Sequence, residues 1–419
     1  MAILDLRTGT HKILVRGGSH AHYLPSGHLV YGVGGTLRAV AFDLERLETL
    51  GTPTPVLSQV VTTPFGAADF DVARDGTLVY VSGGVQAIAR TLVWVDRQGR
   101  EEPIKAPVRA YTFPRLSPDG TRIALDIRDQ ENDIWIWDFG RETLTRFTFD
   151  AGLDRVPVWT PDGRRVLFTS ERAATPNNIF WQAADGTGAA QRLTQGPNPQ
   201  FPSSVSPDGA RLVLRDVAAA PDLVMLALDT ERPSIRSASS GSTVSTVESS
   251  TDSGRGEPVE PRRLQPLVQT PYTEQNGEIS PDGRWLAYES NNSGQNEIYV
   301  RPFPNVDSGL WQVSTGGGTR PLWARNGQEL FYRSPPGAVM SVRIERGATW
   351  AAGTPTKLFE GRYFVGGGFF ARTYDVAPDG RRFLMIKLGG GGSDETAAPP
   401  SLIVVQHWFE ELKRLVPTK

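Results

Sequence analysis

Ser117-Pro118-Asp119-Gly120 recurs with small changes along the whole chain, and this repeat decides the fold. Its copies are Leu24-Pro25-Ser26-Gly27, Ala73-Arg74-Asp75-Gly76, Ser117-Pro118-Asp119-Gly120, Thr160-Pro161-Asp162-Gly163, Ser206-Pro207-Asp208-Gly209, Ser280-Pro281-Asp282-Gly283, Ala324-Arg325-Asn326-Gly327 and Ala377-Pro378-Asp379-Gly380. Successive glycines lie 49, 44, 43, 46, 74, 44 and 53 residues apart. A period of about 40–45 residues is typical of one four-stranded blade of a β-propeller.

The repeated tetrapeptide predicts a turn between two strands. Proline presets φ at the first turn position, and glycine takes the positive φ that closes the turn. Apolar runs flank it, such as Val156-Pro157-Val158-Trp159 before the turn and Arg165-Val166-Leu167-Phe168-Thr169 after it. Third and fourth strands follow, for example at Asn178–Trp181 and Gln191–Thr194. Four short antiparallel strands per repeat predict an all-β fold, a single β-propeller.

The repeat count predicts eight blades in one domain over residues 1–419. Seven is the alternative if the irregular first unit is not a full blade. The last unit lacks a fourth strand, so we expect an N-terminal strand from residues 3–15 to complete it and close the ring. A short helix is expected at 407–415. The predicted blades are 21–60, 68–106, 111–149, 156–195, 201–269, 276–315, 320–360 and 373–406.

One step of the repeat is long because residues 231–262 form an insertion rich in Ser and Thr. So few apolar groups predict a flexible loop. A phosphoacceptor segment is one interpretation, and a tolerated surface insertion is the one we favour.

Composition excludes several classes of function. The formal net charge is −2, which gives no bulk attraction to nucleic acid or to anionic membranes. Cysteine is absent, so disulfides and thiol catalysis are excluded. No apolar run reaches the ~18–20 residues of a membrane span, so we expect a soluble chain without direct membrane insertion. The first residues do not resemble a signal peptide, and they begin within a blade, which indicates a fragment or a misassigned start.

Catalytic signatures are missing: the sequence has no G-x-S-x-G, H-E-x-x-H, Walker or kinase motif. One weak metal candidate is the histidine group His20, His22 and His28, because His20 and His22 share a strand face. No carboxylate nearby in sequence completes that site. We therefore predict a non-enzymatic chain without a cofactor.

A binding site is expected at one mouth of the central channel. In a propeller, the residues at which the innermost strands begin ring such a mouth. The candidate ligand-binding residues are Tyr111, Asp154, Arg155, Phe201, Gln275, Asn276, Arg372 and Tyr374.

The repeat resembles that of TolB-type, WD-repeat-like propellers. The clearest copies are Leu116–Leu125 with Asn132–Ile136, and Ile279–Tyr288 with Asn296–Val300. A finer resemblance links the chain to the C-terminal propeller of bacterial receptor-like serine/threonine kinases, through Tyr23–Tyr31, Leu92–Gly99, Val300–Pro304 and Trp408–Leu415. In that family a kinase and usually one membrane span precede the propeller, which implies a periplasmic or extracytoplasmic location. If the chain stands alone, a cytoplasmic location is the alternative.

Two classes of function remain open from the sequence. The first is a monomeric binding module that recognises a protein, a peptide or a cell-wall ligand at the propeller face; the resemblance implies that it is the sensor of a kinase. The second is an enzyme, either a metal-dependent lactonase or lyase or a propeller associated with a hydrolase. We favour the binding module, because a fold alone does not define a chemistry and no catalytic motif is present.

Overall fold

A computed structural model shows thirty-three strands and one α-helix in the described part of the chain. The described residues are 1–15, 18–33, 35–62, 68–82, 90–128, 132–150, 152–172, 177–218, 222–228, 264–335, 337–345, 349–366, 371–389 and 401–418. The Ser/Thr-rich insertion at 231–262 lies outside them. No helix among these residues has the length and apolar character needed to cross a membrane.

The strands are short and follow one another closely. Strands β1 to β10 are Ala2–Leu4, His11–Ile13, Ser19–Leu24, His28–Val33, Thr36–Asp43, Glu48–Leu57, Phe70–Val72, Leu78–Ser82, Arg90–Asp96 and Glu101–Pro103. Strands β11 to β22 are Tyr111–Leu116, Arg122–Arg128, Asn132–Asp138, Thr143–Arg146, Asp154–Trp159, Arg165–Ser170, Asn178–Ala183, Gln191–Arg192, Gln200–Val205, Arg211–Asp216, Asp222–Ala227 and Gln265–Val268. Strands β23 to β33 are Glu274–Ile279, Trp285–Ser290, Glu297–Pro302, Trp311–Gln312, Thr319–Trp323, Glu329–Arg333, Val339–Arg343, Thr356–Phe359, Tyr374–Val376, Arg382–Leu388 and Ser401–Val405, and the helix α1 is Trp408–Leu415.

Six four-stranded antiparallel sheets form a ring. Blades 1 to 5 are β11–β14, β15–β18, β19–β22, β23–β26 and β27–β30, each in sequence order. Blade 6 has the order β31-β32-β9-β10. Its two inner strands, β31 and β32, follow blade 5 in the sequence, whereas its two outer strands, β9 and β10, precede blade 1. The ring is closed where the backbone N–H of Leu116 in blade 1 donates to Oδ2 of Asp375 in blade 6, at 2.8 Å.

The remaining sheets and the helix form what we call the terminal unit, residues 2–82 and 401–418. It contains the four-stranded sheet β3–β6, the three-stranded sheet β33-β8-β7 and the pair β1–β2. Trp408 and Leu412 of α1 are buried in one hydrophobic cluster with Leu78 and Phe70. The predicted C-terminal helix is therefore confirmed, and an apolar face holds it in place.

The all-β propeller of four-stranded antiparallel blades is confirmed, but the blade count and the closing strand were wrong. The ring has six blades rather than eight or seven, and β9 pairs with β32 over Arg90–Asp96 to close it. The predicted third strand of the last unit, β33, pairs instead with β8, and the N-terminal strands β1 and β2 pair with each other.

Burial explains why β9 rather than β33 completes the ring. A strand inside a blade packs on neighbouring blades through both faces, so it needs apolar residues on both. In β9, Leu92 packs towards blade 1, whereas Val93 and Val95 pack towards blade 5, and all three are buried. In β33, Leu402 and Val404 stay 69% and 56% exposed.

Candidate functional site

The S-P-D-G turns surround one mouth of the channel, which we call the turn mouth. In the copy between β15 and β16, Thr160 Oγ1 donates to Asp162 Oδ1 at 2.6 Å. Gly163 takes φ +68°, and its N–H donates to the carbonyl of Thr160 at 2.9 Å. These bonds stabilise the turn locally, as its sequence predicts. The prolines of four turns then line the mouth, namely Pro118, Pro161, Pro207 and Pro281.

A cavity of about 280 Å³ opens at the turn mouth. Its apolar walls include Trp159 and Trp323, each the last residue of an innermost strand. The indole N–H of Trp159 donates to the carbonyl of Arg115, and that of Trp323 donates to the carbonyl of Glu278, both at 2.9 Å. Because each bond joins neighbouring blades, the two indole rings are held in place. The cavity walls are therefore formed before any ligand binds.

A network of buried charges forms the floor of this cavity. Arg372 Nη1 donates to Glu278 Oε2 at 2.6 Å, and Arg372 Nη2 lies 3.6 Å from Asp375 Oδ1. Arg115 Nη1 donates to the carbonyl of Arg372 at 2.8 Å. The floor thus links blades 1, 4 and 6 across the channel and combines two cations with two anions.

The pKa shifts in the floor follow from burial and from these pairs. Burial raises the pKa of Glu278, although Arg372 and Arg115 act against that rise. Burial also acts against the charge of Arg372, but Glu278 and Asp375 raise the pKa of its guanidinium. Because arginine stays protonated in proteins, the contact between Arg372 and Glu278 is an ion pair.

A further cation lies at the rim of the turn mouth. Arg325 occupies the position that proline holds in most copies of the turn. Its side chain is exposed, and Nη2 donates to the carbonyl of Ser117 in blade 1 at 3.3 Å. The lining of the cavity therefore combines fixed aromatic walls, a paired polar floor and one rim cation, an arrangement suited to binding a ligand with both apolar and polar groups.

The opposite end of the channel, where the innermost strands begin, is the far mouth. Here β11 and β15 each contain a bulge, and Phe113 and Val156 take positive φ values of 44° and 52°. These side chains meet Phe201 and Ala371 in one buried cluster that joins four blades. A bulge changes the direction of side chains, and the resulting apolar cluster, which we call the plug, lies in the channel at this end.

The residues that the sequence singled out lie mainly at the far mouth, in contacts between strands and blades. Tyr111 and Tyr374 are fully buried, and the hydroxyl of Tyr374 donates to the carbonyl of Arg320 at 2.9 Å. Asp154 is paired with Arg172 at 2.8 Å, and burial raises the pKa of that carboxyl. Arg155 lies 3.5 Å from Glu171.

The other four candidates divide between plug, floor and strand contacts. Phe201 belongs to the plug, and Gln275 is buried. Asn276 donates to Glu289 Oε1 at 2.8 Å. Arg372 is the one member of the predicted set that lines the cavity at the turn mouth.

The three candidate metal ligands do not come together. The rings of His20 and His22 are tilted by 46° with centroids 4.9 Å apart, and His22 Nδ1 lies 3.7 Å from Asp71 Oδ1. Burial and the charge of His20 lower the pKa of His22. His28 is buried elsewhere, with Nε2 bonded to the carbonyl of Val416 at 2.7 Å and Nδ1 to Ser26 Oγ at 3.0 Å. No group of three or more metal-ligating side chains occurs in the part of the chain that the structure describes.

Sequence reasoning missed the cavity itself. The signal was present, because in each of the six blades of the ring the residue just before the repeated turn ends an innermost strand. That position holds Trp159 and Trp323 in two blades.

Comparisons with known proteins agree with this architecture. Residues 90–250 match the family model PD40, the TolB beta propeller domain. A solved structure of a TolB candidate from Agrobacterium tumefaciens has a TM-score of 0.51 and 16% identity, and the match covers 72% of this chain and 98% of that one. The fold is therefore similar to that of TolB-type β-propellers.

Two curated relatives match shorter stretches. Uncharacterized protein Atu1656 of Agrobacterium fabrum is 27% identical over 174 residues, 41% of this chain and 58% of that protein. Uncharacterized peptidase YuxL of Bacillus subtilis is 29% identical over 113 residues, 25% of this chain and 17% of that protein. The chain thus spans less than two thirds of the length of either relative.

Proposed function

We propose that this chain is a non-catalytic binding module whose cavity at the turn mouth receives a peptide, a segment of a protein or a cell-wall ligand. The observation that carries the proposal is the preformed cavity, with indole rings fixed by hydrogen bonds between blades. Rigid walls avoid the ordering cost that a flexible site incurs on binding. A few polar groups on an apolar wall are typical of sites that recognise ligands.

The chemistry of the ring supports binding over catalysis. All five histidines are outside residues 90–388, and cysteine is absent. The cavity acids Glu278 and Asp375 are already bonded to Arg372 or to backbone N–H groups. A general acid or base needs a free group poised near the reacting atom. The match to a peptidase leaves a hydrolase-associated role as the alternative.

The test fills the cavity without breaking a described hydrogen bond. Ser203 lines the cavity, so Ser203→Trp should block it, and Ser58→Trp at an exposed position outside the ring is the matched control. Peptides are selected from a phage-displayed random library on the wild-type chain, and their Kd values are measured by fluorescence anisotropy. We expect Ser203→Trp to raise the Kd by about tenfold or more, because an indole ring in the cavity excludes the peptide. A tenfold change corresponds to a loss of ~1.4 kcal/mol of binding free energy.

Equal Kd values in Ser203→Trp and wild type would overturn the cavity as the binding site. Mass spectrometry of the same peptides after incubation checks the alternative. Cleavage products that appear with wild type and vanish with Ser203→Trp would favour the hydrolase-associated role.

We further propose that the propeller is the sensor of a receptor-like serine/threonine kinase, on the resemblance of its motifs. The chain itself has a mass of 45.7 kDa. An immunoblot of native cells with an antibody against the propeller should show a much larger band in the membrane fraction. A band at the mass of the chain alone would reject the kinase link and leave the binding module intact.

A further inference from the structure

One position of the second strand of a blade contacts the next blade in three of the six blades. It lies six residues after the turn glycine and holds Asp126, Thr169, Arg215, Glu289, Arg333 and Ile386 in blades 1 to 6. In three blades its side chain bonds the backbone of the next innermost strand: Asp126 accepts from the N–H of Val156, Thr169 donates to the carbonyl of Gln200, and Glu289 accepts from the N–H of Arg320. The position therefore joins neighbouring blades at the far mouth.

Arg333 breaks this pattern. Its side chain is 98% buried, at 2% exposure, yet none of its three guanidinium nitrogens has a hydrogen-bond partner in the described structure. The next innermost strand is preceded by Thr373, which is also fully buried and whose Oγ1 has no partner either. An unpaired buried charge is expensive, and an orphaned buried hydroxyl adds to the cost.

Burial and the neighbouring charge of Arg320 act against the charge of Arg333, whereas Tyr374 and Tyr363 raise its pKa. The charged and titratable groups that act on it are Arg320, Tyr374 and Tyr363, with no carboxylate among them. Burial lowers its pKa to about 10, so the guanidinium is still protonated at neutral pH. The equivalent residue in blade 3 differs, because the carboxylate of Glu289 acts on Arg215.

Two glycines with positive φ approach the guanidinium groups of Arg333 and Arg320. At Gly337, φ is +128°, and an added Cβ would lie 3.0 Å from Arg333 Nη2. At Gly366, φ is +75°, and an added Cβ would lie 3.6 Å from Arg320 Nη2 and 3.3 Å from Thr373 Cγ2. Glycine backbone next to two guanidinium groups allows a small anion to approach the main chain closely.

We propose that Arg333, Arg320 and Thr373 bind an oxyanion, a carboxylate or a phosphate group, between blades 5 and 6 at the far mouth. The planar guanidinium groups suit such an anion, and the Thr373 hydroxyl supplies a third donor. Arg320 is half-buried and offers the approach from solvent, whereas Arg333 is the enclosed end of the site. The site is separate from the cavity at the turn mouth and does not depend on the function proposed for it.

The test uses inorganic phosphate as the probe, with acetate as the carboxylate probe and sodium chloride at matched ionic strength as the reference. Thermal unfolding and isothermal titration calorimetry are measured on wild type, Arg333→Met and the matched variant Arg215→Met. We expect saturable stabilisation of wild type by at least one probe, at least about tenfold weaker in Arg333→Met and unchanged in Arg215→Met. Which probe saturates at the lower concentration identifies the anion.

Arg333→Met should fold, because it removes a charge that has no partner. Thr373→Val provides a second variant, with an expected weakening of about two- to fivefold and no change of charge. Absence of saturable binding of both probes, or equal affinity in wild type and Arg333→Met, would overturn the site. Equal loss of anion affinity in Arg215→Met and Arg333→Met would overturn it as well. Such a result would show that the probes respond to the net charge of the protein and not to this site.

Discussion

The two mouths of the ring use buried arginines in opposite ways. At the turn mouth, Arg372 pairs with Glu278 and Asp375 and forms the floor of an open cavity. At the far mouth, Arg333 is equally buried, has no described partner and stands beside a second arginine. The cavity opens at the mouth where Arg372 is paired, whereas an apolar cluster lies in the channel at the far mouth.

The difference shows that burial alone does not make a charge structural. A buried ion pair holds its partners in register, and removal of one member leaves the other without compensation. An arginine without a partner contributes no such contact, so its buried position needs another explanation. For Arg333 that explanation is the proposed oxyanion.

The largest expected effect comes from breaking the floor. Arg372→Met removes the cation shared by Glu278 and Asp375 and leaves two buried carboxylates without it. We expect the free energy of unfolding to fall by about 3–5 kcal/mol, the usual cost of breaking a buried pair. Urea unfolding measures this value from the shift of the midpoint at constant slope.

Arg325→Met is the control at the same mouth, because Arg325 is exposed at the rim. An exposed substitution of this kind changes stability by only about 0.5 kcal/mol. If Arg372→Met costs no more than Arg325→Met, the floor is not an ion-pair network, and the contrast between the two mouths fails. The same measurement on Arg333→Met should show no loss.

The repeat predicted what is local in this fold. Turn chemistry and short apolar runs placed the strands of blades 1 to 5 close to their observed bounds, since a turn and its flanking strands are specified within about ten residues. Ring closure depends on a choice between β9 and β33, which are similar third strands more than 300 residues apart in sequence. Packing on both faces decides that choice, and the repeat does not encode it.

The candidate site shows the same limit. Both ends of an innermost strand carry polar and aromatic residues, so the sequence does not reveal which mouth is open. The answer depends on bulges, which bring Phe113 and Val156 into one apolar cluster at the far mouth. Arg372 was predicted as a site residue, but its partner Glu278 lies 94 residues away and became evident only in the folded ring.

A smaller effect tests the acids of the two mouths. Glu278 at the turn mouth has Arg372, whereas Glu274 at the far mouth is bonded by the hydroxyls of Thr270 and Ser290 and has no cation among its described bonds. Oε2 of Glu274 is buried without a partner. Burial raises the pKa of Glu274, and the nearby charge of Asp222 adds to the rise.

A raised pKa means that the folded state binds a proton more tightly than the unfolded chain does. The stabilising effect of that proton is complete below the ordinary glutamate pKa and is lost as the pH rises through the folded pKa. Glu274→Gln carries no titrating proton, so unfolding curves across this range should show wild type losing stability relative to the variant. Glu410→Gln on the exposed face of α1 controls for the loss of one negative charge. If the difference in free energy of unfolding between wild type and Glu274→Gln is constant with pH, the pKa of Glu274 is not raised in the folded state. The contrast between the buried acids of the two mouths then fails.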